Sequence, residues 1–399
     1  MGAVAVQPTQ SRRAPGAAGT RPCRILFVFA WLVVGGEETE VRLLAKRLDR
    51  RRYQIDVVAC FRKPGMPEQT HRQLAELGIA VDRAPYDLSF EDTVAYLAKR
   101  LPAYDLVVDC QAVHDVYPAL ARCADPPPLI EHGGLVREAL SGPKDRTARY
   151  VGVCDAIRDA AASRMPDRPR HALTIPSMVD LAAFDPGQRA AVRAEWDVAP
   201  ETPVVGWVGR LDRKKRVEDA VRAVALLRRR LPDARLVVVG GPDAFMPEYA
   251  VELRELAYSV GLGSAAIFLG DRADAPRLMA GFDALLWLSE GEGMPHVVAE
   301  AGAAGLPVVA TRDGGVGALI DDGVTGRFTP HGDPAAAAEA LAALFADPDA
   351  ARRLGANLRQ RVATRFSTDV VVPQWEALFA AALAETSRAG EPAGSAVTS

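Results

Sequence analysis

Cysteine is scarce: the 399 residues hold five, an odd number. Cys23, Cys60, Cys110, Cys123 and Cys154 have no CxxC spacing, and most sit in apolar, strand-like runs. A disulfide framework and a cysteine zinc site are thereby excluded, and a reducing, cytoplasmic setting is expected. A surplus of one charge is also missing. The formal net charge is −3 and no long single-sign run occurs, so bulk electrostatics gives no case for nucleic acid as a partner. Nor is any apolar run long enough to cross a bilayer. The nearest, ILFVFAWLVV, follows Arg12, Arg13, Arg21 and Arg24 in an order that imitates a signal peptide, but no small-x-small cleavage site comes after it. Ile25 to Ala30 reads instead as a buried strand, and residues 1–22, rich in Ala, Gly, Pro and Arg, as a disordered tail. Asp347-Pro348-Asp349 imitates a metal-binding DxD pair. Its place between two Ala-rich segments reads as a helix start, so no metal and no cofactor is expected.

What the chain does have is apolar residue in quantity, 49% of the total, enough to fill the cores of two domains. From Arg24 onward, short apolar runs alternate with amphipathic runs of helical length. Six such runs, CRILFVFA, YQIDVVAC, GIAVDRA, YDLVVDC, PPLIEH and RYVGVCD, form a first series. TPVVGWVG, ARLVVVGG, AAIFLG, DALLWLS and LPVVAT begin a second. Strands buried on both faces and joined by helices make doubly wound parallel sheets, whose ligands bind at the carboxyl ends of the strands. The residues at those ends are Gly35, Gly36 and Glu38 after the first strand, His114 beyond the fourth and His132 after the fifth.

Around one stretch, SEGEGMPHVVAEAGAAGLPVVAT (289–311), the rest is organised. A buried strand delivers Glu292 to a helix whose first residues include Gly293 and Pro295, and Glu300 lies deeper in that helix. Taken alone, both glutamates read as solvated helix residues. Placed together on a strand-to-helix unit with glycine beside them, they suit a ligand rich in hydroxyls, because a carboxylate accepts two donors at once. Further back, VGRLDRKKRVEDA sets Arg210 past a strand end and Lys215 at the next helix start. A planar fork and a mobile point charge both suit a diphosphate, although a run of five cations also reads as a solvated turn.

The segment EGMPHVVAEAGAAGLPVVAT resembles the Glu-x7-Glu region of the family 4 retaining glycosyltransferases. It matches in Glu292, Gly293, Glu300, Ala301, Gly305, Leu306, Pro307, Val308, Val309, Ala310, Thr311, Gly314 and Gly315. GRL-x3-K is similar to the family's phosphate-binding pair, GGEE to its GGAE loop, and IPSMVDLAAF to its IPNGVD-x3-F interdomain segment. The resemblance runs from about Arg24 to Glu385 and implies a GT-B fold, two Rossmann-like domains facing a central cleft. The first domain would span 23–180 plus a returning helix at 368–385, the second 181–367, and 386–399 would be a second disordered tail.

The resemblance also implies roles. Glu292 would grip hydroxyls of the donor sugar, with Gly293 and Met294 beside it, and Glu300 the nucleotide ribose. Arg210 and Lys215 would hold the diphosphate, and the loop Gly270 to Arg272 would carry the base. Gly35 and Gly36 would offer bare N–H groups to a phosphate or acceptor oxygen. His132 would face the reacting carbon as the catalytic histidine, with His114 the runner-up. Ser177 and Met178 depart from the family's Asn-Gly, and Gly317 and Ala318 from its Pro-Glu, which leaves only the N–H groups of Gly314 to Val316 for a phosphate there. The implied activity is metal-independent transfer of a hexose-type sugar, with retention, from a nucleotide-diphosphate sugar (UDP-sugar ahead of GDP-sugar) to a hydroxyl of a glycan, lipid-linked or natural-product acceptor. A phosphorylase, a nucleotide-sugar epimerase or a non-catalytic sugar-nucleotide-binding module would keep the same fold. Arg42, Lys46, Arg47, Arg50, Arg51 and Arg52 follow Gly36, and similar basic helices dock some relatives onto anionic lipid. Helix polarity explains such cations as well, so a soluble protein is expected, with peripheral membrane contact as the alternative.

Overall fold

The computed structural model describes residues 21–389. The expected tails therefore lie outside the described residues, apart from a few positions at their inner edges. One of these is not loose: Arg21 makes a two-pronged bond to the Asp105 carboxylate, at 2.6 and 2.8 Å.

The first seven strands are β1 (Cys23–Trp31), β2 (Tyr53–Phe61), β3 (Val81–Asp82), β4 (Leu106–Cys110), β5 (Leu129–Gly133), β6 (Thr147–Gly152) and β7 (Ala172–Thr174). They form one parallel sheet in the order β3-β2-β1-β4-β5-β6-β7. The second sheet, also parallel, contains β8 (Val204–Val208), β9 (Arg235–Val239), β10 (Ala266–Phe268), β11 (Ala284–Trp287), β12 (Val308–Thr311) and β13 (Arg327–Thr329), in the order β10-β9-β8-β11-β12-β13. The apolar runs are continuous because each strand has both faces covered. In β1, Ile25, Phe27 and Phe29 point into one core and Leu26, Val28 and Ala30 into the other. In β11, Leu285 and Trp287 face one core and Ala284 and Leu286 the opposite one.

Three element boundaries differ from the sequence reading. The first sheet has a seventh strand, β7, in what reads as an interdomain segment; three residues are too few for an alternation to show. The helix after Gly36 stops at Arg47, where Leu48 turns extended, so Arg50, Arg51 and Arg52 lie beyond it. The helix carrying Glu300 starts at His296, not at Gly293, because Pro295 is held extended as its cap.

The chain crosses between the sheets near Val179, whose N–H bonds Phe366 O at 2.8 Å and whose carbonyl accepts Thr368 N–H at 3.0 Å. The final helix, Thr368–Ala389, then sets Trp375, Phe379 and Leu383 into the core of the first sheet. Met178, in place of the family's glycine, avoids positive φ: it is fully buried, and its N–H is held by Glu40 Oε1 at 2.8 Å. A single buried cluster joins Val153 and Cys154 of the first domain to Met294 and Val316 of the second.

Candidate functional site

In each sheet the strand order reverses at one place, between β1 and β4 in the first and between β8 and β11 in the second. Chain segments leave in opposite directions there and open a crevice at the carboxyl ends. The two crevices face each other across a single cleft of about 670 Å³, lined by the loops after β1, β4, β5, β8, β9 and β11.

On the second domain's wall, Lys215 Nζ lies 2.8 Å from Glu292 Oε1. The lysine ends the short turn Arg213–Lys215 and the glutamate lies in the loop after β11. Arg210 follows β8, and its Nε is 2.7 Å from Asp243 Oδ2 in the loop after β9. Glu300 sits one turn into the His296–Ala303 helix and also lines the cleft. Burial pushes the Glu300 carboxyl up from its ordinary pKa, and Arg42, across the cleft, pulls it back. Met294 is buried in the wall. At Gly293 the two domains come into close backbone contact: a Cβ built on it would stand 2.0 Å from the Gly134 carbonyl oxygen. No larger residue fits there without moving one domain against the other.

On the first domain's wall, His132 belongs to β5 itself and is 4% exposed. Its ring meets Trp375 edge-on, with centroids 5.2 Å apart. Burial lowers its pKa to about 4, so the imidazole is neutral at ordinary pH. Gly35 caps the Gly36–Arg47 helix. A Cβ on Gly36 would come within 3.0 Å of His296 Cδ2, which accounts for glycine there by close packing between domains.

The structure does not bring every expected residue to the cleft. His114 is exposed on the helix after β4 and lines no part of it. Gly270 is off the wall, its φ of +69° serving a turn whose carbonyl accepts Gly240 N–H at 2.8 Å. Arg272 does line the cleft, but its guanidinium is engaged by Asp274 in two bonds of 2.8 Å. The N–H groups of Gly315 and Val316 are already taken by Gly293 O and Asp313 O, and none of Gly314 to Val316 reaches the cleft. Among the described residues no group of three or more His, Cys, Asp or Glu is placed to hold a metal, and no helix is long and apolar enough to cross a membrane.

Residues 188–361 match the family described as glycosyl transferases group 1. That match lies within the second domain. It contains Arg210, Lys215, Glu292 and Glu300, the residues that geometry places on one wall. The D-inositol 3-phosphate glycosyltransferase of Nocardia farcinica is 37% identical over 186 residues, 45% of this chain and 41% of the relative. The N-acetyl-alpha-D-glucosaminyl L-malate synthase of Bacillus anthracis is 24% identical over 367 residues, 87% of this chain and 94% of the relative. The chain spans about half the length of most of the curated relatives it matches. Among solved structures, Anabaena Alr3699/HepE in complex with UDP-glucose superposes with a TM-score of 0.77 at 23% identity, over 92% of this chain and 99% of that one. Sucrose-phosphate synthase of Thermosynechococcus elongatus gives 0.70 at 22%, over 91% and 100%. The fold is GT-B.

Around the second domain's wall, sequence reasoning passed over several residues. Lys214, assigned to a solvated turn, lines the cleft beside Lys215. His296 sits between the domains, its Nε2 3.3 Å from Glu40 Oε1, and burial, with His132, Arg42 and Lys215 nearby, lowers its pKa to about 3. Its signal was its place inside the Glu-x7-Glu stretch. At the mouth of the cleft Trp31 of the first domain meets Phe245 of the second, ring centroids 6.1 Å apart, and no local pattern announces that pair. The cations of the basic stretch are largely occupied: Lys46 and Arg47 of the helix pair with Asp180 at 2.6 and 2.9 Å, and beyond it Arg51 pairs with Asp49 and Arg52 with Glu376, both at 2.8 Å.

Proposed function

We propose that this chain is a retaining glycosyltransferase that moves a hexose-type sugar from a nucleotide-diphosphate sugar to a hydroxyl acceptor, without a metal. The observation that carries the reading is the convergence of Arg210, Lys215, Glu292 and Glu300 on one wall of an interdomain cleft. Two cations meet the charge that builds on a departing diphosphate, and preorganised charge of that kind does most where charge develops. Lys215 and Glu292 now neutralise each other; a bound donor would separate them, the ammonium turning to phosphate and the carboxylate to sugar hydroxyls. Glu300 would take the ribose. That Alr3699/HepE was solved with UDP-glucose supports UDP as the first nucleotide to try.

The neutral His132 would donate or accept a hydrogen bond beside the sugar and carry no covalent intermediate. As the bond from the anomeric carbon to the diphosphate oxygen breaks, the acceptor oxygen bonds to the same face of that carbon. The acceptor's proton passes to a phosphate oxygen. Deciding this takes a panel of UDP- and GDP-sugars incubated with the protein and candidate acceptors, with nucleotide release and product mass followed. Release of nucleotide with a hexose added to the acceptor, and the donor's anomeric configuration in its NMR couplings, is the expected result. No release from any donor, or an inverted product, would refute the reading.

A further inference from the structure

The first domain's wall of the cleft is the more acidic one, its carboxylates outnumbering its cations, whereas carboxylates and cations balance on the second. Glu37 and Glu38, in the first turn of the Gly36–Arg47 helix, and Glu138, in the helix Val136–Leu140, face a wall that carries Arg210, Lys214 and Lys215. Two of these carboxylates have work within the fold. Glu38 Oε1 accepts Val33 N–H at 3.0 Å, and Glu138 Oε2 accepts the N–H groups of Gly134 and Leu135 at 3.2 and 3.1 Å. Glu37 differs: it is 8% exposed, it lines the cleft, and its Oε1 has no hydrogen-bond partner.

Burial holds the Glu37 carboxyl well above the usual range; the charges of Glu138, Glu38 and Asp109, all carboxylates, push the same way, and a hydrogen bond with Gln111 pulls it back. Two first-domain cations share this wall with the carboxylates. Arg42 lies in the field of Glu300 and Asp180, and Arg137 is exposed beside Glu138. Gln69, Thr70 and Gln73 add neutral hydrogen-bonding groups.

We propose that this wall binds a hydroxyl-rich acceptor carrying a protonated amine, with the ammonium group on Glu37 Oε1. The proposal rests on the glycosyltransferase reading and names its acceptor class. An ammonium supplies the missing donor and offsets repulsion among Glu37, Glu38 and Glu138, drawing Glu37 toward its ionised form. A phosphate or carboxylate on the acceptor would meet that repulsion instead. At the mouth, Trp31 offers a ring face on which a cationic sugar or cyclitol can rest, whereas Phe245 already carries Lys63 Nζ 4.0 Å from its ring centroid.

The test is titration calorimetry on the full chain saturated with UDP, using 2-deoxystreptamine, myo-inositol and myo-inositol 1-phosphate as amine-bearing, neutral and anionic probes. UDP affinity is measured first in the same samples. The amine probe is expected to bind at least about tenfold more tightly than the neutral one, and the phosphate probe more weakly than both. Glu37→Gln should reduce the amine's advantage to within about threefold and leave UDP affinity unchanged. A phosphate probe that binds as tightly as the amine, an amine preference that survives Glu37→Gln, or no binding of the amine probe to the UDP-loaded protein would each overturn the proposal while leaving the donor reading intact. Failure of UDP itself to bind would overturn the donor reading first, and this proposal with it.

Discussion

Replacing Gly293 by alanine adds one carbon at a tight backbone contact between the domains. The built Cβ falls 2.0 Å from Gly134 O, whereas such contacts essentially never fall under 3.0 Å. Gly293 does not have positive φ, so alanine brings no backbone strain of its own. Relief by a side-chain rotation is not available, because the obstacle is a backbone carbonyl. The Gly293 loop is itself tied by its carbonyl to Gly315 N–H. The walls must therefore separate by about 1 Å, and a misplacement of that size between reacting groups costs roughly 10²-fold in rate. Gly134 and Gly293 both lie past the ends of their strands, so the melting temperature should move by only about 2–4 °C, the shift expected from ~1 kcal/mol in a domain of this size. Steady-state kinetics should show kcat down by about two orders of magnitude while UDP, which the proposed function assigns to the second domain, binds within about threefold of wild type. A variant with near-normal kcat would refute the claim that the two walls must meet at this distance.

Arg210→Ala and Lys215→Ala should each weaken UDP binding by roughly 1.5–3 kcal/mol, the usual loss of a charge-assisted contact, as read by calorimetry; unchanged affinity in both would remove the diphosphate from that wall. Glu300→Gln should chiefly raise the donor KM and Glu292→Gln chiefly lower kcat, because a ribose contact persists through the reaction while a sugar contact positions the reacting carbon; the reverse split in initial-rate kinetics would exchange their roles. His132, neutral when folded with a pKa of about 4, contributes stability that is present above the unfolded value near 6.5 and is lost as pH falls from there toward 4, at up to about 1.4 kcal/mol per pH unit. Denaturant titrations should show that loss disappear in His132→Gln. An identical acid dependence in the two proteins would contradict the neutral, buried ring. Activity should persist in EDTA; loss restored by Mn²⁺ would contradict a mechanism built on Arg210 and Lys215.

Parallel sheets were legible because strands covered on both faces leave uninterrupted apolar runs, and strand ends follow from them. Arg210, Lys215, Glu292 and Glu300 stand at such ends in recognisable segments, and the fold gathers them on one wall. What pattern cannot carry is contact between segments remote in the chain. His132 rests on Trp375, Trp31 on Phe245, and Lys46 with Arg47 on Asp180, and each partner lies in another element with no shared spacing. The basic stretch after Gly36 therefore read as a possible lipid-docking face, although four of its cations, Lys46, Arg47, Arg51 and Arg52, are held by carboxylates. Glu38 was legible as a strand-end residue, but the burial of Glu37 among Glu138, Gln111 and Asp109 comes from elements remote in the chain. Gly270 and the Gly314–Val316 turn had the right composition for phosphate or base contacts, yet their backbone groups are consumed in local turns.

The central claim is that the second domain's wall holds a nucleotide-diphosphate sugar, and a crystal structure of the chain with UDP-glucose tests it most directly. The diphosphate is predicted within hydrogen-bond reach of Arg210 and Lys215, with the 2.8 Å Lys215–Glu292 pair broken, Glu292 on sugar hydroxyls and Glu300 on the ribose. A nucleotide bound elsewhere, or bound in the cleft with that pair intact and the ribose away from Glu300, would contradict it.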